Sequence, residues 1–499
     1  MVEVAQCSAV ETMDVGSIFG LSGPPTPAGT KEFFIGGSSM ATTQMCHSIL
    51  FLALGAFAQA LVPHGIASGE RLVNFTADGH AQNLAKKTAE DLKALLDDVR
   101  YDAATKELLG DKEYGESSCN ANRFEELTHA GIVREIESRP LTPRRRIALN
   151  LFFSGSAIPR EQVRILLGDK DPALICNLIR QHIAIEEEDG SIRLNHLCIS
   201  AVPLAGAVPA GPLYLVSDIN KLWSTGRIEP IDTIEITSLS LLRTIEKHRK
   251  RLKTLQGVAA DLGSGGGIQA IALLRTNPKL TRVIGLEIEP HSMSLSRFNA
   301  LLNGVSDRFV PVNNRNTKPN LEIDVLRDVL KGQKLVLVVT NPPFNLIPES
   351  LGEVFTKYGY GGTDGLAVTR LFMRQALANL DPTKGEVIVY SQFGVGKNGR
   401  PLFEKMLKTD VPSRSGVLVS YGSDPMAHWQ YGVHLQNLEK YAERMSNYLR
   451  DTMPQSKVPD AEGFTKALRA AGVEELSSRI VYLKAVGNAW SGYVFYDGK

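Results

Sequence analysis

Six apolar runs of strand length alternate with helical stretches between residues 215 and 423: 257–262, 282–287, 308–312, 334–340, 386–393 and 416–421, with helices such as 366–380 and 401–407 between them. A strand followed by a helix and another strand returns by a crossover rather than by a hairpin. The alternation therefore predicts a parallel sheet covered by helices on both faces. In such a sheet a ligand binds beyond the carboxyl ends of the strands. Chemistry is then expected from the residues that follow each run.

The first run ends in Asp261-Leu262-Gly263-Ser264-Gly265-Gly266-Gly267-Ile268, an acid and three alternate glycines ahead of a helix. Glycines remove Cβ atoms and permit unusual backbone angles, so that a nucleotide can lie against the main chain. A dinucleotide fingerprint, G-x-G-x-x-G, needs glycine at position 268, where Ile268 stands; this argues against a nicotinamide oxidoreductase. The dinucleotide motif also turns a pyrophosphate toward a helix N-terminus, whereas an acid before the turn suits a cofactor with a charged amine. The second run ends in Glu287, twenty residues past Gly267. A carboxylate there can accept hydrogen bonds from vicinal ribose hydroxyls.

The fourth run leads into Thr340-Asn341-Pro342-Pro343-Phe344. Two prolines remove two backbone donors and fix φ, leaving the carbonyls of Asn341 and Pro342 free to face a cleft. With the Asn341 amide oxygen they can grip the hydrogens of a planar NH2 group, while Phe344 stacks on its face. The same residues would also make a plain rigid turn.

Together these residues resemble the class I S-adenosylmethionine-dependent methyltransferases of the small-domain branch, which carries an (N/D)-P-P-(Y/F) motif. That branch includes release-factor glutamine, ribosomal RNA guanine and adenine N-methyltransferases. The resemblance covers about residues 218–421. It rests on 261–267, on Glu287-Ile288-Glu289-Pro290 followed by 296–304, on 341–344, and on Gly361-Gly362-Thr363-Asp364-Gly365-Leu366. The last element also reads as a turn with Asp364 as helix N-cap.

The resemblance implies an α/β fold with a Rossmann-like sheet, S-adenosylmethionine as cofactor, and in-line transfer of its methyl group to nitrogen. By position, Asp261, Gly263, Gly265 and Gly267 would hold the methionine part of the cofactor and Glu287 the ribose. Asn314 would lie near the adenine, with Asn313 competing for that place. Asn341, Pro342, Pro343 and Phe344 would present the acceptor nitrogen. Phe344 stands where the glutamine-methylating members have Tyr.

The flanks are different in kind. Residues 81–214 read as helices, with Leu84, Leu92, Leu95 and Leu96 at helical intervals. Helices 144–153, 160–167 and 173–181 lead into a hairpin of 184–188 and 191–198 around Asp189-Gly190, the order of a winged helix. Its tip, Glu186-Glu187-Glu188-Asp189, would repel phosphates and favours an interaction or substrate-covering module over DNA binding. The better polyanion candidate is the run Arg243, Lys247, His248, Arg249, Lys250, Arg251, Lys253, whose alternative is the solvated face of a helix. Residues 424–499 return to helices (434–452, 463–471) and then two apolar runs, 480–486 and 493–496, an α+β extension that would complete the sheet.

Residues 345–360, with Phe355, Tyr358 and Tyr360, would cover the acceptor or simply connect two elements, and Trp429, Tyr431 and His434 would line the same side. His291 and His428 read as core or surface residues rather than as a general base.

With 55 Lys and Arg against 54 Asp and Glu, the chain has no global field to hold a polyanion. The five cysteines are widely spaced, without a C-x-x-C pair, so neither a disulfide framework nor a metal site is expected and the thiols suggest a reducing, cytoplasmic setting. Residues 1–80 form a variable leader whose apolar run, 49–62, is too short to span a bilayer and leaves a targeting role open.

The acceptor favoured by this balance is an amine or amide nitrogen of a small molecule, peptide or protein, including one of specialised metabolism. An RNA or DNA base, or a non-catalytic binding protein with a vestigial cofactor fold, are the alternatives.

Overall fold

The computed structural model describes residues 79–110, 129–219, 234–314, 325–352, 359–409, 417–423, 435–452, 458–485 and 493–497. The apolar run 49–62, Phe355, Tyr358, His428, Trp429, Tyr431 and His434 lie outside them.

The N-terminal region contains α1 (Gly79–Asp98), α2 (Tyr101–Leu109), α3 (His129–Ser138), α4 (Pro143–Ala148), which continues as a π-helical turn Leu149–Phe153, α5 (Arg160–Leu167) and α6 (Ala173–Arg180). Leu92, Leu95 and Leu96 of α1 are fully buried, as their spacing requires. Strands β1 (Ala184–Glu186) and β2 (Ile192–Leu194) form the expected hairpin, and Ile158 bridges Ile192 beside it. The second strand ends earlier than the expected 198. His196 takes a left-handed φ of 56°, and β3 (Leu197–Val202) turns away to pair antiparallel with β4 (Leu213–Asp218).

Two features of this region bear on the expectations. Glu186 is held by Arg160 and Glu187 by Arg193, so half of the acidic tip is locally neutralised. Helix α6 packs against α1. Leu174 and Leu178 of α6 join the same core as Leu92, and the Gln181 amide donates to the Thr88 hydroxyl at 2.5 Å. Cys176 and Cys198, expected as free thiols, are disulfide-bonded. The two lie on separate elements, α6 and β3, which no local cysteine pattern would connect, and the argument from thiols to a reducing compartment falls with them.

The large sheet contains, among the described residues, β5 (Gly257–Leu262), β6 (Leu280–Glu287), β7 (Phe309–Asn313), β8 (Leu335–Thr340), β9 (Glu386–Val395), β10 (Val417–Ser423), β11 (Leu435–Asn437), β12 (Glu475–Ala485) and β13 (Tyr493–Asp497). Their order is β13-β10-β12-β9-β8-β5-β6-β7, with β11 on β12. Strands β5 to β9 are parallel, as expected. The sheet as a whole is mixed, because β12 runs antiparallel between β9 and β10.

Alternate residues face opposite sides. Val387 and Val389 of β9 meet α11 (Val325–Leu330), α12 (Ala367–Asn379) and α13 (Leu402–Thr409); Ile388 and Tyr390 meet the layer of α7 (Ile236–Lys247), α8 (Arg249–Leu252) and α9 (Ile268–Thr276). Helices α14 (Leu438–Thr452) and α15 (Ala461–Ala470) are inserted between β11 and β12 and form a smaller core with residues 346–351. Among the described residues no helix is long and apolar enough to cross a membrane.

Helix α10 (Pro290–Leu302) joins the two regions. Its Leu295, Phe298 and Leu302 enter the N-terminal core and its Ala300 the sheet core. Asn299 accepts from the Val216 N–H at 2.8 Å and donates to the Val216 carbonyl at 2.9 Å; Asn303 treats Tyr214 the same way, at 3.1 and 2.7 Å. Helix positions i and i+4 are about 6 Å apart along the axis and strand positions i and i+2 about 6.6 Å, so the two amides match one edge of β4.

Substituting Asn299→Ala should leave both Val216 groups without a partner and lower unfolding stability by roughly 2–4 kcal/mol in urea denaturation. A loss under about 0.5 kcal/mol would show that water replaces the amide.

Candidate active site

The carboxyl ends of the parallel strands bring the sequence-predicted residues together. Leu262 of β5 is paired with Thr340 of β8 on one side and with Leu286 of β6 on the other. Gly263, Asn341 and Glu287 are therefore the next residues on three adjacent strands. Glu287 in turn pairs with Asn313 of β7, and the N–H of Asn314 donates to the Glu287 carbonyl at 2.8 Å. Of the two competing asparagines, Asn314 is buried and Asn313 exposed.

The turn after β5 is built from left-handed glycines, with φ of 70° at Gly263, 49° at Gly265 and 85° at Gly267. A Cβ on Gly263 would come within 3.1 Å of the Phe372 ring, and one on Gly267 within 3.2 Å of Ser296. Glycine is required here both for the angles and for the closeness of α12 and α10.

Asp261 is buried; its Oδ2 accepts from the Ala270 N–H at 3.0 Å, and its Oδ1 has no partner. Burial, reinforced by the charge of Glu287, pushes its carboxyl up to about 7 against the bond from Ala270. Burial also raises Glu287, although its two oxygens receive the N–H groups of Gly265 at 2.8 Å, Ile288 at 2.7 Å and Glu289 at 3.0 Å. Three of its roughly four acceptor positions are taken by backbone, so a ribose diol would share the carboxylate with them.

Asn341 donates its NH2 group to Thr237 Oγ1 at 3.1 Å and Ser238 Oγ at 3.3 Å, while its buried Oδ1 has no partner. Thr237 and Ser238 begin α7, and their role was not read from the sequence; hydroxyl residues at a helix start look like ordinary capping candidates. Pro342 is buried, and Pro343 and Phe344 are half-buried. The Phe344 ring lies 5.3 Å from that of Tyr390, tilted by 54°.

The 361–366 element packs its backbone on this motif. A Cβ on Gly361 would sit 2.5 Å from the Phe344 carbonyl carbon, and one on Gly365 3.0 Å from the Phe344 oxygen. Asp364 closes the turn by accepting from the Leu366 N–H at 2.9 Å and from Arg370 at 2.7 Å.

Elsewhere, the basic run is partly absorbed by the fold. Arg243 pairs with Glu246, Lys253 donates to the Gly206 carbonyl at 3.4 Å, and Arg251 lies 4.2 Å over the Tyr482 ring and 3.3 Å from Glu386. His291 is buried against Asp218 at 2.8 Å, a structural pair rather than a free base.

Residues 230–356 match the methyltransferase small domain family. The chain carries a methyltransferase small domain, of the class I S-adenosylmethionine-dependent kind. It is 39% identical over 84 residues to a ribosomal protein L11 methyltransferase of Alteromonas mediterranea, covering 16% of this chain and 28% of that protein. It is 34% identical over 84 residues to a tRNA1(Val) (adenine(37)-N6)-methyltransferase of Porphyromonas gingivalis, covering 17% and 31%. It is 28% identical over 205 residues to a release factor glutamine methyltransferase of Deinococcus radiodurans, covering 40% and 62%. In each case the chain spans less than two thirds of the relative's length.

The residues of this methyltransferase small domain fit S-adenosylmethionine. Asp261 Oδ1 is a buried acceptor without a donor, which a cofactor ammonium would satisfy, and the Cβ-free turn leaves its backbone open to close approach.

The raised carboxyl of Asp261 has a consequence for stability. The folded chain keeps this proton between about pH 4 and about 7, where the unfolded chain has released it, so the contribution to stability falls as pH rises through that window. Asp261→Asn should reduce the decline in thermal midpoint between about pH 5 and pH 7.5. Parallel curves for both proteins would show that Asp261 titrates at an ordinary value.

Proposed function

We propose that the chain is an S-adenosylmethionine-dependent N-methyltransferase acting on an amine or amide nitrogen of a small molecule, peptide or protein. One observation carries this reading: two buried oxygens without partners, Asp261 Oδ1 and Asn341 Oδ1, stand just at the ends of neighbouring strands. One suits a cofactor ammonium and the other an acceptor N–H.

When bound, S-adenosylmethionine supplies an electrophilic methyl group on a sulfonium centre. Asp261 holds the ammonium, Gly263, Gly265 and Gly267 keep the backbone open, and Glu287 and Asn314 receive the ribose and adenine. Asn341 Oδ1 and the Pro342 carbonyl accept the acceptor's N–H groups and so direct its lone pair. Pro343 keeps the turn rigid, and Phe344, against Tyr390, covers the flat face of the acceptor. As positive charge develops on the nitrogen, the Asn341 oxygen stabilises it without reorganising, because Thr237 and Ser238 hold the other end of the amide.

Relatives that act on ribosomal protein L11 and on release factors support a protein acceptor. In this reading residues 215–423 perform the transfer, while 81–214 and 424–499 shape acceptor access. A nucleic-acid base is the second reading, favoured by the tRNA-methylating relative. It has fewer free cations than the sequence suggests, since Arg243, Arg251 and Lys253 are engaged within the fold.

Calorimetric titration with S-adenosylmethionine and, separately, S-adenosylhomocysteine should give binding of both in the micromolar range, about −8 kcal/mol. No binding of either would leave a vestigial cofactor fold. Asp261→Ala should weaken binding by roughly tenfold or more. Asn341→Ala should keep cofactor affinity within about twofold, while turnover of acceptors found with labelled cofactor falls by about 10²–10³. Retained turnover would remove the gripping role from Asn341. Acceptor binding that weakens steeply with salt would shift the assignment to nucleic acid.

A further inference from the structure

The segment after the Asn341–Phe344 motif is extended, and an extended chain turns successive backbone groups to opposite sides. On one side the Asn345 N–H donates to the Gly359 carbonyl at 2.9 Å, the Asn345 carbonyl accepts from the Gly361 N–H at 2.9 Å, and the Ile347 N–H donates to the Gly362 carbonyl at 3.1 Å. The backbone of Leu346 faces the other way. There its N–H donates to the hydroxyl of Tyr441 at 2.9 Å, and the same hydroxyl donates to the Leu346 carbonyl at 3.3 Å.

Leu346 is buried, so both groups need a partner, and a hydroxyl that is donor and acceptor at once supplies both. Tyr441 belongs to α14, in the insert between β11 and β12. It is buried, with its ring 6.5 Å from that of Phe464 on α15. Leu346, Ile347 and Leu351 share one core with Leu438, Tyr441, Met445, Phe464 and Leu468. The insert therefore grips the segment that leaves the acceptor motif from the side opposite the 361–366 element.

We propose that the α14–α15 insert is the clamp of the acceptor segment and that Tyr441 is its positioning residue, fixing through Leu346 the loop that carries Asn341 to Phe344. The functional consequence rests on the methyl-transfer reading above; the clamp itself does not. An enzyme that orients a nitrogen lone pair needs that loop held to a fraction of an ångström, and loosening it would misplace Asn341 Oδ1 and Phe344 together.

The test compares the full chain with Tyr441→Phe by hydrogen–deuterium exchange and by calorimetric titration with S-adenosylhomocysteine. The phenyl ring keeps the packing against Phe464 and removes only the hydroxyl. Exchange across residues 341–352 should rise by roughly tenfold, with exchange in α14 and α15 unchanged and S-adenosylhomocysteine affinity within about twofold of the parent.

Unchanged exchange at 341–352 would overturn the proposal. So would a rise spread equally through α14 and α15, because Tyr441 would then only hold the insert together. If the parent chain binds no S-adenosylhomocysteine, the methyl-transfer reading fails, while the exchange pattern still decides for or against the clamp.

Discussion

The pairing of β5 with β8 sets everything else at the site. These strands lie side by side in the sheet but are separated in the chain by β6 and β7, which were laid down on the far side of β5. The connection from β7 back to β8 reverses the direction in which the sheet grows, and loops on either side of such a reversal separate to leave a crevice. Because Leu262 and Thr340 are register partners, the glycine turn and the Asn-Pro-Pro-Phe segment leave the sheet at one level. The Thr340 hydroxyl ties the two ends together by donating to the Leu262 carbonyl at 2.7 Å. A shift of one residue would turn Asp261 and Asn341 to the wrong faces.

A second theme is backbone satisfied by side chains where no strand is present. Asn299 and Asn303 serve one edge of β4 from a helix, and the Asn299 NH2 also reaches the Gly266 carbonyl at 3.0 Å, so the joint between the two regions touches the glycine turn. Tyr441 does the same for Leu346. An amide or a phenol hydroxyl offers donor and acceptor together, which aliphatic packing cannot. In both places a helix is fixed in register with an extended segment, and the functional loops inherit that register.

Much of this was legible in the sequence because it is local. The strands from 257 to 395 announce themselves as apolar runs, and the glycine turn, Glu287 and Asn341–Phe344 follow directly from strand ends. What was illegible depends on long-range pairing, which periodicity does not carry. The β12 strand begins at Glu475, five residues before the apolar run at 480, and includes two buried serines: Ser477 pairs with β9 and β11, and Ser478 with β9. Its antiparallel direction has no local signature. Thr237, Ser238 and Tyr441 matter through partners about a hundred residues away, 104, 103 and 95 positions respectively. The packing of α6 against α1 had no local signature either: Gln181 meets Thr88 across 93 positions.

The position of β12 also orders events during synthesis. The outer edge of β9, complete at residue 395, receives its partner only when residue 475 and those after it have been made. The cradle around Asp261 and Glu287 needs only strands that precede β9. The wall formed by α14 and α15 arrives with the late half of the chain. A nascent molecule therefore assembles the turn around Asp261 and Glu287 first, with the β9 edge open to chaperones or to stray strands, and gains the α14–α15 wall only at the end.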